Sequence, residues 1–311
     1  MRTPVALIIF NRPETTARVF AEIARARPPK LLVIADGPRA ERPGEAEKCL
    51  AARAIVGRVD WNCEVLTNYS DVNLGCKVRP ASGLNWVFET VEEAIILEDD
   101  CLPHQSFFRF CEELLEEYRT DERVMAIGGA NLLGEWRRGS QSYYFSRLGG
   151  SWGWATWRRA WKHFDAEIKL WPKALEARVL EDLFPNPKHS GYWKLALQKV
   201  YGGEIESAWD YQWLLACWLN SGWRVVPEVN LVSNIGFGAD ATHHQDAGNA
   251  LANLPTREMA FPLRHPQFMT RDADLDDALS EKFYSLSDNP NVLSRLGAKV
   301  ARAVSRSVEK T

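Results

Sequence analysis

The stretch Ala94-Ile95-Ile96-Leu97-Glu98-Asp99-Asp100 decides how this chain is read. Four apolar residues bounded by polar ones predict a buried strand, and the carboxylates leave its C-terminal end. That end is where open α/β sheets hold their ligands. Carboxylates so close together repel one another unless they are protonated or neutralised by a cation. A hard divalent ion with oxygen ligands, Mg²⁺ or Mn²⁺, is the matching partner, and such ions commonly also hold a phosphate. A solvated acidic turn is the bland alternative; the position directly after a buried strand favours a ligand site.

Outward from that strand the chain alternates. Val5-Ala6-Leu7-Ile8-Ile9-Phe10 reads as the first strand, with Pro13 in the first turn of the next helix. Leu31-Leu32-Val33-Ile34-Ala35 is the second and ends in Asp36-Gly37-Pro38. A helix over 45–58, a strand over 63–67 and a helix over about 80–93 lead back to the acidic triplet. An amphipathic helix over 107–118 and a strand over 124–127 follow. This is the pattern of an α/β fold, a mostly parallel Rossmann-like sheet with helices on both faces. After Gly128-Gly129 the character changes: glycine, tryptophan and arginine dominate 134–161, and a helical, loop-rich stretch runs to about 206. A helix over 209–219 and short strands over 224–226 and 231–233 come next. Residues 1–245 are expected to form one domain in two halves, 1–130 and 131–245, and 246–311 to be a C-terminal extension.

Lys and Arg number 38 against 41 Asp and Glu, a net charge of −3 with mixed signs, so nothing points to a nucleic-acid partner. The six cysteines show no paired short spacing, which argues for free thiols in a reducing compartment. The only apolar stretch near the N-terminus is too short for a signal peptide or a membrane span, so a cytoplasmic protein is expected. Near the C-terminus Arg295, Lys299, Arg302, Arg306 and Lys310 fall along one helical stripe beside Leu296, Val300 and Val304. That stripe suits a peripheral membrane contact or simply a solvated face.

In a parallel sheet the ends of all these strands share one edge. Asn11-Arg12 follows the first, Asp36-Gly37 the second, and Asn73-Leu74-Gly75 with Lys77 and Arg79 the third. Cations for a diphosphate, a lone carboxylate for a base or ribose, and a metal site then stand together; arginine suits phosphate because its planar fork gives paired, charge-assisted bonds.

Asn11-Arg12-Pro13, Asp36-Gly37-Pro38, Asn73-Leu74-Gly75, Leu97-Glu98-Asp99-Asp100, Trp152-Gly153-Trp154-Ala155-Thr156-Trp157 and Trp209-Asp210-Tyr211-Gln212-Trp213 occur in this order. Together they resemble bacterial GT-A-fold glycosyltransferases of the family-2 type and, more distantly, N-acetylglucosaminyltransferase I, over about residues 4–244. The resemblance implies a metal-dependent, inverting transfer of a sugar from a nucleotide diphosphate, a UDP-sugar by preference, to a hydroxyl of a saccharide or glycolipid. Asp100 then holds Mn²⁺ or Mg²⁺, while Glu98 and Asp99 orient sugar, ribose or metal-bound water. Arg12 and Asp36 contact the nucleotide, with Asn11 and Asn73 beside them, and Arg79 or Lys77 meets the diphosphate. Asp210 matches the position of the base that takes the acceptor's proton; an N-cap aspartate is the bland reading. The triplet departs from the family's usual Asp-X-Asp.

Flat aromatic faces suit sugar rings, which places Trp152, Gly153 and Trp154 nearest the site, although most tryptophans here also suit a hydrophobic wall. Either His243 or His244 would supply a second metal ligand, or both lie at the surface. Two rival readings stay open: a catalytically inactive nucleotide-sugar-binding partner in glycan assembly, and a sugar nucleotidyltransferase. The second lacks its expected glycine-rich loop after the first strand.

Overall fold

The structure, a computed structural model, describes residues 1–205, 208–237 and 251–286. Strands β1 (Val5–Ile9), β2 (Lys30–Ala35), β3 (Glu64–Tyr69), β4 (Glu93–Glu98), β6 (Val124–Gly128), β7 (Tyr143–Ser146), β8 (Trp154–Trp157) and β9 (Trp223–Pro227) form one sheet in the order β3-β2-β1-β4-β8-β6-β9-β7. β1 to β4 pair in parallel, β8 runs against both of its neighbours, and β7 runs against β9. A small antiparallel pair, β5 (Cys101–Pro103) with β10 (Val232–Asn234), stands beside it. The helices are α1 (Pro13–Ala26), α2 (Glu45–Ile55), α3 (Gly75–Thr90), α4 (Gln105–Glu117), α5 (Arg158–Trp161), α6 (Trp171–Glu176), α7 (Val179–Leu183), α8 (Pro187–Tyr201), α9 (Asp210–Leu219) and α10 (Ala273–Phe283).

Successive strand residues point to opposite faces, and both faces are covered. Val5, Leu7, Ile9, Leu31 and Val33 pack with Val19 and Ile23 of α1, Ala52 of α2 and Phe107, Phe110 and Leu114 of α4. Ala6, Ile8, Leu32 and Ile34 pack with Leu84 and Val87 of α3 and with Trp213 and Cys217 of α9. This double burial is why β1, β2 and β4 are unbroken apolar runs without polar alternation. The expected α/β architecture therefore holds.

Two regions differ from the sequence-based expectation. α3 begins at Gly75, a turn and a half before Pro80, which lies inside the helix; the reason is a distant carboxylate described below. The tryptophan-rich stretch contains two strands, β7 and β8, every residue of which is buried. Four-residue strands buried on both sides carry no period-2 signal. β8 also interleaves the two expected halves, because it lies between β4 and β6. No described helix is long and apolar enough to cross a membrane. The basic C-terminal stripe from Arg295 to Lys310 lies outside the described residues.

Candidate active site

The chain winds α1 and α2 onto one face while moving from β1 to β3, then crosses to the other face through α3 and inserts β4 on the far side of β1. The reversal opens a crevice between the C-terminal ends of β1 and β4, the place where such sheets bind ligands. A cavity of about 480 Å³ occupies it.

From β1, Phe10, Asn11 and Arg12 enter the cavity. Arg12 is the residue before α1, and Pro13 takes the first helical position, where a missing N–H costs nothing. From β4 come Glu98, Asp99 and Asp100. The Arg12 Nη1 donates to Asp100 Oδ2 at 2.7 Å and lies 3.7 Å from Asp99 Oδ1. Asp99 Oδ2 accepts the Phe10 N–H at 3.0 Å, so the two strand ends are tied together.

Burial, and after it the charge of Asp100, push Asp99 up to about 7 against the pull of Arg12 and the Phe10 N–H. Glu98 is driven well above the usual carboxylate range by burial first, then by Asp100, Asp99 and Asp210, with Arg12 opposing. For Arg12 burial acts downward, but Asp99, Asp100 and Glu98 outweigh it and raise its affinity for its proton. Crowded carboxylates thus share one guanidinium.

Asp36 lines the same cavity, and its carboxylate is already saturated. Oδ1 accepts from the Gly37 and Leu74 N–H groups, each at 2.9 Å; Oδ2 accepts from the Gly75 N–H at 2.9 Å and Asn73 Nδ2 at 3.1 Å. Four donors fill the acceptor sites a carboxylate offers. It substitutes for a local cap and starts α3 early, at the end of the helix dipole that favours negative charge. Asn73 faces the cavity while also donating to the Gly37 carbonyl at 2.9 Å.

Arg79 reaches the cavity and is only 6% exposed; its Nη2 donates to the Asn68 carbonyl and, at 2.5 Å, to Asn68 Oδ1. Its Nε is buried with no hydrogen-bond partner among the described residues. Burial draws this guanidinium below its ordinary range, against Asp36. Lys77 is half-buried on the first turn of α3 and does not line the cavity. Of the two candidates for a diphosphate contact, only Arg79 borders the space.

The opposite wall comes from the second half. Ile96 pairs with Trp154, so the residues preceding β8 run past the end of β4, and Ser151 and Trp152 line the cavity. Trp152 packs edge-on against Phe237 at 5.8 Å. Trp154 corrects the expectation of a sugar-facing ring: it is fully buried and stacks on Trp209 at 5.8 Å, with Trp213 and Trp161 on its flanks. Alternation along β8 sends it into the core beneath α9. Gly153 likewise turns away from the cavity; its φ is +60°, and a Cβ there would strike Val232 at 2.6 Å. The aromatic wall supplied for Trp154 the burial that a sugar face would need to avoid.

Asp210 is the first residue of α9 and borders the cavity. Trp209, not Asp210, occupies the cap position, so the N-cap reading does not apply. A first-turn carboxylate is favoured by the helix dipole. The β5–β10 pair brings the 234–236 loop over the triplet: the Ile235 N–H donates to the Asp100 carbonyl at 2.8 Å, and a Cβ on Gly236 would collide with the Asp100 carboxylate. His243 and His244 lie outside the described residues.

Arg39 escaped the sequence reading although it stands two residues beyond Gly37. It lines the cavity, and Glu45 takes both its backbone N–H, at 2.7 Å, and its Nε, at 3.0 Å, while accepting Asn11 Nδ2 at 2.9 Å. Glu45 is held down to about 2, chiefly by the Arg39 side chain.

The donor set at the triplet is all hard carboxylate oxygen, which fits Mg²⁺ or Mn²⁺; such an ion would offset the mutual repulsion that, after burial, raises Glu98 and Asp99. Among the described residues no three His, Cys, Asp or Glu side chains converge to hold an ion alone. The fit is therefore to an ion held by one or two carboxylates and completed by ligand phosphates, the usual habit of Mg²⁺.

No family model matches the sequence, and no curated protein matches it either. Among solved structures, a mannosyltransferase from Pyrobaculum calidifontis, in complex with GDP-Man and Mn²⁺, is 13% identical over 70% of this chain and 70% of its own, with a TM-score of 0.39. A 4-diphosphocytidyl-2C-methyl-D-erythritol synthase from Anaerococcus prevotii is 8% identical over 56% of this chain and 77% of its own, at 0.31. A UDP-glucose pyrophosphorylase complexed with UDP-glucose is 10% identical over 47% of this chain and 63% of its own, at 0.27. Likeness at this level does not fix an activity.

Proposed function

We propose that the protein is an inverting glycosyltransferase that moves a sugar from a nucleotide diphosphate, a UDP-sugar by preference, to a hydroxyl of a saccharide or glycolipid. The observation that carries this reading is one cavity at the sheet's switch point bordered by Arg12, the Glu98–Asp100 triplet and, across from them, Asp210. Arg12 and Arg79 supply cationic donors for the diphosphate. Asp36, with its own bonds filled, positions Asn73 and Gly75 beside the nucleotide. Asp210 accepts the proton of the acceptor hydroxyl as its oxygen bonds to the anomeric carbon and the bond from that carbon to the diphosphate breaks. Trp152 offers a flat face to a sugar. A divalent cation held at Asp100 would neutralise charge on the departing diphosphate.

Calorimetric titration of UDP, GDP and CMP, with Mn²⁺ and then with EDTA, tests the reading. Metal-dependent binding of one of them is expected, followed by release of that nucleotide from its sugar conjugate when an acceptor is supplied. Binding without transfer to any of a broad panel of acceptors would favour the inactive partner. Turnover of a nucleoside triphosphate with a sugar 1-phosphate would favour the nucleotidyltransferase.

A further inference from the structure

Among the described residues, Arg12 alone is ion-paired with the acidic triplet, at 2.7 Å from Asp100 Oδ2 and 3.7 Å from Asp99 Oδ1. Asp100 is also the carboxylate assigned above to the divalent cation, and its other approaches are restricted. Gly236 stands so near that a Cβ there would strike Asp100 Oδ2, the Ile235 N–H donates to the Asp100 backbone carbonyl, and Cys101 Sγ lies 3.6 Å from Oδ1. The guanidinium is itself mostly enclosed, its side chain 18% exposed.

We propose that Arg12 is a built-in counter-ion that competes with the divalent cation for Asp100, so that the metal enters as a phosphorylated donor draws the guanidinium away. This inference rests on the function proposed above. Two cations at one carboxylate oxygen repel each other, and in a partly buried site that repulsion is weakly screened. Phosphate competes well for Arg12 because it accepts paired hydrogen bonds from the planar fork. Metal and nucleotide then assist each other's binding, and the assistance is reciprocal by linkage. The triplet gains a neutralising charge when no donor is present and gives up Arg12 when one arrives.

The test is Mn²⁺ titration of the full chain, with free Mn²⁺ read from its paramagnetic resonance signal, in the absence and presence of UDP or GDP, whichever binds. Wild type is expected to bind Mn²⁺ about tenfold or more tightly with the nucleotide. Arg12→Gln, with Arg12→Met as a second removal in case the first does not fold, is expected to bind Mn²⁺ about tenfold or more tightly than wild type without nucleotide and to lose most of the nucleotide's enhancement. Arg12→Lys, which keeps the charge, stays closer to wild type. A folded removal variant whose nucleotide-free Mn²⁺ affinity equals or falls below that of wild type overturns the proposal, while nucleotide-dependent Mn²⁺ binding by wild type leaves the function reading standing. Absence of Mn²⁺ binding in every form, with and without nucleotide, removes the metal site and this proposal together.

Discussion

The Gly75 N–H donates to Asp36 Oδ2 at 2.9 Å, which makes a residue after β2 the anchor for the first turn of α3. Three further donors converge on the same carboxylate. Asp36→Asn would point an amide nitrogen at N–H groups that need an acceptor, and stability is expected to fall by about 1–3 kcal/mol. Denaturant unfolding measures it. If stability is unchanged and only nucleotide affinity drops, Asp36 serves the ligand directly and not the loop.

Trp154 and Trp152 separate core from cavity. Trp154→Ala is expected to cost about 3–5 kcal/mol, the range for a large buried aromatic. Trp152→Ala should cost less stability but weaken binding of a nucleotide sugar relative to the bare nucleotide. Thermal melts and paired titrations decide the matter; equal losses of stability in the two variants would contradict the assignment.

Asp210→Asn keeps a hydrogen-bonding group at the start of α9 and removes the proton acceptor. Donor binding should persist while turnover falls by about 10²-fold or more. Transfer at near-normal rate would move the base to another residue.

The Arg39–Glu45 pair predicts a pH dependence. Glu45 lies at about 2 in the folded chain against an ordinary 4.5. A depressed carboxylate stabilises the fold fully above its unfolded value, and that contribution is lost as pH falls from about 4.5 toward 2. Glu45→Gln should therefore show a shallower loss of stability over that window than wild type, read from unfolding free energies at a series of pH values. Parallel acid limbs for the two proteins would exclude a role for the pair.

The parallel strands were legible because burial on both faces demands continuous runs such as Ala94 to Leu97, and Asp36-Gly37-Pro38 marks where one must end. What the carboxylates do was less legible, because their partners are remote in the chain. Asp36 caps a helix 38 residues away, and Arg12 reaches Asp100 across 88. No local pattern encodes such pairings. Trp154 illustrates a second limit: a tryptophan cluster is equally consistent with a sugar platform and a wall, and only its place on β8 separates them.

β6 has β8 and β9 as its sheet neighbours, and both come from later in the chain. A polypeptide ending near residue 130 would contain the acidic triplet yet leave β6 unpaired and the outer edge of β4 bare. During synthesis the edge proposed to face the nucleotide therefore exists as residues before it exists as a surface, waiting for β8 to be threaded into the gap. Fragments divided at that point should show whatever ligand binding the whole chain has only on recombination, so the molecule offers no minimal binding piece to excise.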